Sequence, residues 1–490
     1  MQIRIFLVPA VLFALGSVAS ASPHRGPFPS DKEIQQTMDD LVSEKRTFGI
    51  LVETRSPDGT VRFFHAGSAG RPGVRLDRDS VFEIGSVTKT FTAALLADMV
   101  LRGELQLEDP VANYLPITVT GPKSSGRAIQ LVDLATHYSA LPFVPTNLSK
   151  EHLRDGETQK VVKAWREYSI PMFYEFLSNY RLPWRVGGKF QYSNVGFALL
   201  ANVEGLRLGE TWEDAVRQRI LRPLRMNSTS IEITNGMSKR VVQGHDASGH
   251  EVPNWDVPAL PGFGTLHSTA DDLMRYLVAN LRMDGGAAGR ALALTHVPRR
   301  KAFGSSRIGL AWDIGAGANP TVVWHGGGTI GCSSFVGFDP ANGAALVILA
   351  NTSSGGFNDI GLHFLDQRIP SDESPSIVAL CRRLDKIGYG KCIKVVAAEK
   401  RKNSKYSLPE QDLNALGYRL IGQQRIREGM EVFKLAVQLY PTSYNAYDSL
   451  GEAYEDLGNR AMAIRNYRWS LHLNPRNTNA VQHLESLNRG

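Results

Sequence analysis

Ser86 and Lys89 stand three residues apart in FEIGSVTKTFTA, Phe82 to Ala93. On a helix, positions i and i+3 share one face, with Cβ atoms about 5–6 Å apart. A serine in the first turn also meets the positive end of the helix dipole. Apolar neighbours can desolvate the lysine and lower its pKa. Such an amine can take the serine proton and leave a nucleophile. The plainer alternative is a serine that caps a helix and a lysine whose stem packs while its ammonium reaches water. S-x-x-K occurs once in the chain, and alone it decides nothing.

Two further stretches bear on the choice. Tyr192-Ser193-Asn194, in KFQYSNVGFALLAN, is the only Y-x-N and opens an apolar helical run. A phenol near a lysine ammonium is expected to fall below its usual pKa of about 10 and to serve as a general base. Asn194 would offer an amide to a peptide-like substrate. A core tyrosine and a capping asparagine would leave the same pattern. His325-Gly326-Gly327-Gly328-Thr329 lies between two apolar runs. Glycines there let a substrate lie against a strand and receive backbone N–H bonds, as an oxyanion requires. HGGG is also the oxyanion motif of α/β-hydrolase lipases, but that reading needs a G-x-S-x-G turn, which this chain lacks.

The elements around these residues are legible. Ser30 to Arg46 reads as an amphipathic helix opening on a capping box. FGILVETRSPDGTVRFFHAG reads as a hairpin turning at Ser-Pro-Asp-Gly. The Ser86 helix runs to Gly103, and a mixed, largely helical middle extends to about Leu281. From Ile308 strands return in RIGLAWDI, TVVWHGG, CSSFVGFD and AALVILAN. Strands at both ends of a helical middle predict one sheet closed by the two ends, a second lobe, and a cleft between them.

The order S-x-x-K, Y-x-N, H-x-G resembles the penicillin-recognising serine hydrolases, nearest to class C β-lactamases and the related D-alanyl-D-alanine carboxypeptidases and esterases. The resemblance covers roughly Asp31 to Gln367 and includes IQLVDLATHYSALP, HSTADDLMRYL and HGGGTIGCSSFVGFDP. It implies an α/β fold, an antiparallel sheet flanked by helices with a mostly helical lobe. It also implies Ser86 as the acylated nucleophile, with Lys89 and Tyr192 handling protons. Asn194, His325 and Gly327 would line the substrate, and the N–H groups of Ser86 and Gly328 would form the oxyanion hole. Three positions depart from the pattern. His325 replaces a lysine and is expected to be largely neutral near pH 7. That weakens a permanent cation facing a substrate carboxylate. Ala140 stands where glycine is usual, and Tyr138 where threonine is.

The remaining sequence bounds the setting. MQIRIFLVPAVLFALGSVASASP has a basic start, a short apolar core and an A-x-A site, the pattern of a signal peptide over 1–21. Export is therefore expected, to a periplasm rather than the medium, with no membrane span in the mature protein. A net charge of +7 over 490 residues, without a dense basic stripe, gives no nucleic-acid footprint. Spacings of His and Cys suggest no metal, and no cofactor is expected. Of Cys332, Cys381 and Cys392, the last two are near enough in sequence to pair, which sequence does not decide.

The hydrolase domain is expected over 30–370 and a linker over 371–409. Beyond it, Leu413, Leu416, Gly417, Leu420, Phe433 and Pro441 recur 34 residues later as Tyr447, Leu450, Gly451, Tyr454, Tyr467 and Pro475. That is the tetratricopeptide period, so 410–490 is expected to be an all-α repeat segment able to bind a protein partner. The substrate expected is a β-lactam or a peptidoglycan peptide. An esterase for small acyl esters is the alternative in the same chemistry, and a catalytically quiet scaffold serving the repeats is the alternative in another class.

Overall fold

The computed structural model describes residues 27–489 apart from 120, 123–125, 149–157, 247–248, 284–285, 303–305, 354–356, 370–374, 403–405, 407, 423–424 and 476. The expected signal peptide lies outside the described residues.

Eight strands form one antiparallel sheet: β1 (Gly49–Arg55), β2 (Val61–Gly67), β5 (Arg300–Lys301), β6 (Arg307–Ile308), β7 (Asp313–Ala316), β8 (Asn319–Gly328), β9 (Ser333–Asp339) and β10 (Ala344–Ala350). Their order is β2-β1-β10-β9-β8-β7-β6-β5, so the first hairpin closes against the last strand, with Ile50 opposite Ala350. β3 (Phe82–Glu83) and β4 (His267–Ser268) pair separately beneath the site. β9 and β10 are buried throughout because both sheet faces are covered. Alternate residues of β10 serve the two cores: Ala345, Val347 and Leu349 face one, and Leu346, Ile348 and Ala350 the other. Helix α1 (Asp31–Ser43) packs on β2, and its capping box on Ser30 and Glu33 forms as expected.

Helix α2 (Thr88–Leu101) has apolar residues on every side and is buried from Thr88 to Met99, Lys89 and Asp98 included. A helix without a polar face belongs in the centre of a domain. α3 (Asn194–Leu208) packs against it, and α4 (Ala270–Arg282) lies against β9, β10 and β1, while α5 (Phe357–Leu365) contacts β8, β9 and β10. RIGLAWDI is not one strand, for it breaks between β6 and β7, where Ala311 takes a left-handed φ of 66°.

The C-terminal region corrects one expectation. Within 371–409, helices α6 (Pro375–Ile387) and α7 (Cys392–Lys402) replace the expected linker. Ile377, Leu384, Cys392 and Val396 share a core with Leu413, Leu416 and Val432. Apolar residues at helical spacing in that stretch bury themselves against the helices beyond residue 410, and only 399–405 is strongly polar. Those helices are α8 (Glu410–Gly422), α9 (Ile426–Leu439), α10 (Tyr444–Asp456), α11 (Arg460–Leu473) and α12 (Thr478–Arg489). The repeat has a physical basis. A Cβ on Gly417 would lie 2.3 Å from the Phe433 ring, and one on Gly451 would lie 2.8 Å from Tyr467. In each unit a glycine on the first helix admits an aromatic ring from the second. Cys332, Cys381 and Cys392 are not joined in a disulfide.

Candidate active site

Ser86 sits in a single 3-10 turn, Gly85–Val87, that leads into α2. From Val81 to Met99 every residue except Ser86 is buried, so the hydroxyl alone reaches the cleft. The turn needs Gly85, whose φ is 48° and whose missing Cβ would lie 2.6 Å from the Gly328 nitrogen and oxygen. A Cβ on Gly327 would lie 2.1 Å from the Ile84 carbonyl oxygen. The end of β8 is thereby held against the Ser86 turn, and from the neighbouring strand β9 the Ser334 hydroxyl donates to the Ile84 carbonyl at 2.8 Å. Ser86 and Gly328 come together on the backbone.

Lys89, one turn on, is fully buried. Its Nζ is 2.9 Å from Ser86 Oγ and donates to the Phe263 carbonyl at 2.6 Å. Loss of solvent pushes its pKa well below the ordinary lysine value. The Tyr192 ring centroid lies 4.9 Å from Nζ, and the phenol hydrogen-bonds with the Ser86 hydroxyl. Here the expected depression of the phenol is overturned. Burial pushes Tyr192 above its usual value, outweighing the Ser86 hydrogen bond, and the Asp313 charge adds to the rise. The reason is that the phenol is itself buried, and loss of water disfavours the phenolate more than its neighbours favour it. The cluster can therefore hold Lys89 as a free base beside a protonated phenol.

Asn194 is the first residue of α3, and the cap is Ser193, whose hydroxyl accepts from Gly196 N. That leaves the Asn194 amide uncommitted, and its Oδ1 is buried without a hydrogen-bond partner. His325 is buried, and its Nδ1 lies 2.6 Å from the Gly326 carbonyl oxygen. Burial pushes its pKa down to about 3, and Lys89 adds to the fall whenever it is protonated, in keeping with the neutral imidazole expected from the sequence. Cys332 is a buried thiol pushed up by desolvation, and so a core residue rather than a second nucleophile.

Three participants were not singled out in the sequence. His137 stacks on Tyr192 with centroids 4.2 Å apart, and its Nδ1 accepts from Ser193 N at 3.1 Å. Phe263 supplies the carbonyl that orients Lys89. Glu83 receives Trp255 N at 2.6 Å and the Thr329 hydroxyl at 2.5 Å, bracing the end of the glycine strand. Phe263 lay in none of the motif stretches, while Glu83 lay inside FEIGSVTKTFTA and His137 inside ATHYSALP. In that loop Ala140 keeps the left-handed conformation usual for glycine, with φ 62°.

The family described as Beta-lactamase matches residues 34–367, over two thirds of the chain. The chain belongs to the β-lactamase family and is a serine hydrolase. It is similar to the D-alanyl-D-alanine-carboxypeptidase/endopeptidase AmpH of Escherichia coli K12, 30% identical over 287 residues, covering 57% of this chain and 70% of that protein. It is also similar to a β-lactamase of Pseudomonas fluorescens, 25% identical over 358 residues, covering 65% and 92%. Among solved structures, a class C β-lactamase aligns with TM-score 0.58 at 21% identity, covering 68% of this chain and 95% of that one. A β-lactamase/D-alanine carboxypeptidase from Pseudomonas syringae aligns with TM-score 0.58 at 22% identity, covering 69% and 98%. These two matches bear on the fold.

Proposed function

We propose that the protein is an exported hydrolase that opens β-lactam or D-Ala-D-Ala-type amide bonds through an acyl-enzyme on Ser86. The observation that carries the reading is the buried Lys89 amine 2.9 Å from Ser86 Oγ, with its pKa lowered. The Ser86 proton passes to Nζ as Oγ bonds to the substrate carbonyl carbon, and the carbonyl oxygen becomes an oxyanion. The N–H groups of Ser86 and Gly328 receive that charge. The C–N bond then breaks, and the leaving nitrogen takes a proton from the Lys89–Tyr192 pair. Water, deprotonated by the same pair, frees the acid and restores Ser86. Asn194 lies along the substrate amide.

Export rests on the leader pattern of residues 1–21, and a periplasm is the proposed destination. Among the described residues no helix is long and apolar enough to cross a membrane. For the helices after 410 we propose a short tetratricopeptide-type stack that offers a surface to a protein partner. A second reading, an esterase for small acyl esters, is favoured by the neutral His325, because ester turnover asks for no cation on that strand.

Intact-mass measurement after brief exposure to penicillin and to a p-nitrophenyl ester, beside Ser86→Ala, tests the reaction. An adduct on the wild type alone, or rapid loss of either compound by the wild type alone, is expected. Neither adduct nor turnover would leave a quiet scaffold.

A further inference from the structure

Two imidazoles flank Tyr192, and backbone groups fix them in opposite tautomers. His137 Nδ1 accepts a backbone N–H from Ser193, so its proton is on Nε2. His325 Nδ1 faces the Gly326 carbonyl at 2.6 Å, and a carbonyl only accepts, so His325 carries its proton on Nδ1. Its Nε2 is then a bare lone pair. Both Nε2 atoms are buried without a partner. Side chains alternate along a strand, so His325 projects to the same side of β8 as Gly327, the side that meets Ile84 and the Ser86 turn.

The groups around His325 do not favour a second proton. Lys89 from α2 acts against one when protonated, Tyr192 and His137 bring no negative charge, and Asp313 of β7, opposite Trp324 and pushed up to about 7 by burial, is not among the groups that shift His325. On the opposite face of β8 stands the neutral Asn358 amide, 1.9 Å from where a Gly326 Cβ would lie. Among the described residues no carboxylate shifts His325. The strand therefore presents an acceptor where a cation would be needed to hold an anion.

We propose that His325 makes this a site for substrates that turn an uncharged hydrogen-bond donor toward it. An amide N–H or a hydroxyl fits, as in a peptide that continues past the scissile bond or is capped as an amide. A free carboxylate in the same place would oppose lone pair to lone pair, and is bound only when His325 takes up a proton at Nε2. Preference should thus run toward internal amide bonds and neutral esters and away from free C-terminal acids. The inference rests on the acyl-transfer reading above, because it places the substrate along β8.

The test is calorimetric binding to Ser86→Ala, which holds substrate without turnover. N-acetyl-D-Ala-D-Ala is compared as the free acid and as the C-terminal carboxamide. The carboxamide should bind at least about tenfold tighter near pH ~7.5, in line with the cost of leaving polar groups unmatched. The acid's affinity should rise toward pH ~5.5 with uptake of one proton, while the carboxamide's stays level. His325→Lys should reverse the order. Because that variant buries a charge, the wild-type imidazole's pH dependence in Ser86→Ala stands as the independent measurement. Equal or tighter binding of the acid without proton uptake, or binding of neither peptide, overturns the proposal. Acylation of wild-type Ser86 by the p-nitrophenyl ester is scored separately, so the reaction can survive loss of the preference, and the preference loss of the reaction.

Discussion

Lys89 is the residue on which the chemistry turns, because it is fully buried with its amine beside the Ser86 hydroxyl. A desolvated amine without a carboxylate partner costs stability, and the fold keeps it beside a hydroxyl. Lys89→Met keeps the volume and removes the amine. Acylation should then fall by about 10²–10⁴, as for loss of a general base, with thermal stability retained or raised. The p-nitrophenol burst and a melting curve check both. The signs of the shifts set the pH profile. The base is lost as pH falls through the lowered pKa of Lys89, and Tyr192, raised by burial, keeps its proton into the alkaline range. The burst rate should therefore reach its plateau at a pH well below that of an ordinary lysine and decline on the acid side of it. A rate that climbs until pH ~10 would mean an ordinary lysine. Ser86, Lys89 and Tyr192 were legible because their types and order are unusual together. The direction of the Tyr192 shift was not, because it depends on how much water reaches the pair. His137 was not, because one histidine in an apolar stretch looks like any core histidine.

At the scale of elements, the site depends on how closely β8 approaches the turn before α2. Gly327→Ala would place a methyl 2.1 Å from the Ile84 carbonyl oxygen, so the strand or the turn must shift. Acylation should drop by about 10²-fold or more through the displaced Gly328 N–H, and overpacking should cost about 1–3 kcal/mol. Unchanged burst kinetics would separate the strand edge from the oxyanion. Ala140 gives the opposite sign. Its left-handed φ of 62° is strained for a residue with a Cβ, so Ala140→Gly should stabilise the chain by about 1 kcal/mol. Denaturant unfolding reads that gain, and a loss would mean that the methyl, buried against the loop, matters more than the backbone. The sheet was legible because alternation and turn residues in β1, β2 and β10 are local signals. The closure of β1 on β10 was legible from their placement at the two ends. RIGLAWDI misled because apolar residues continue through a break that is set by the chain's path from β6 into β7. Helices α6 and α7 were missed because a polar run near residue 400 outweighed the apolar spacing before it.

The whole molecule divides by its cores. The two cores on either side of the sheet draw their residues from Phe28 to Ile369, and the three C-terminal cores from Ile377 to Ala480. No residue belongs to both sets. Ile369 closes the first part, packed in the sheet's outer core and accepting from His363 Nδ1 at 2.8 Å. A chain ending at Ile369 should fold and be acylated at Ser86 within about twofold of the full protein, since among the described residues the site's contacts all lie before it. The full protein should melt in two transitions, because cores that share no residues need not unfold together. Gly451→Ala identifies them. Its methyl would meet the Tyr467 ring at 2.8 Å, in the second repeat, so it should lower one transition and leave the burst rate alone. If the shortened chain is inactive, or the full chain melts as one unit whose midpoint moves with Gly451, then the helices beyond Ile369 complete the hydrolase rather than ride behind it. In that event the repeats act on the cleft itself, and a partner held by them would act on turnover directly.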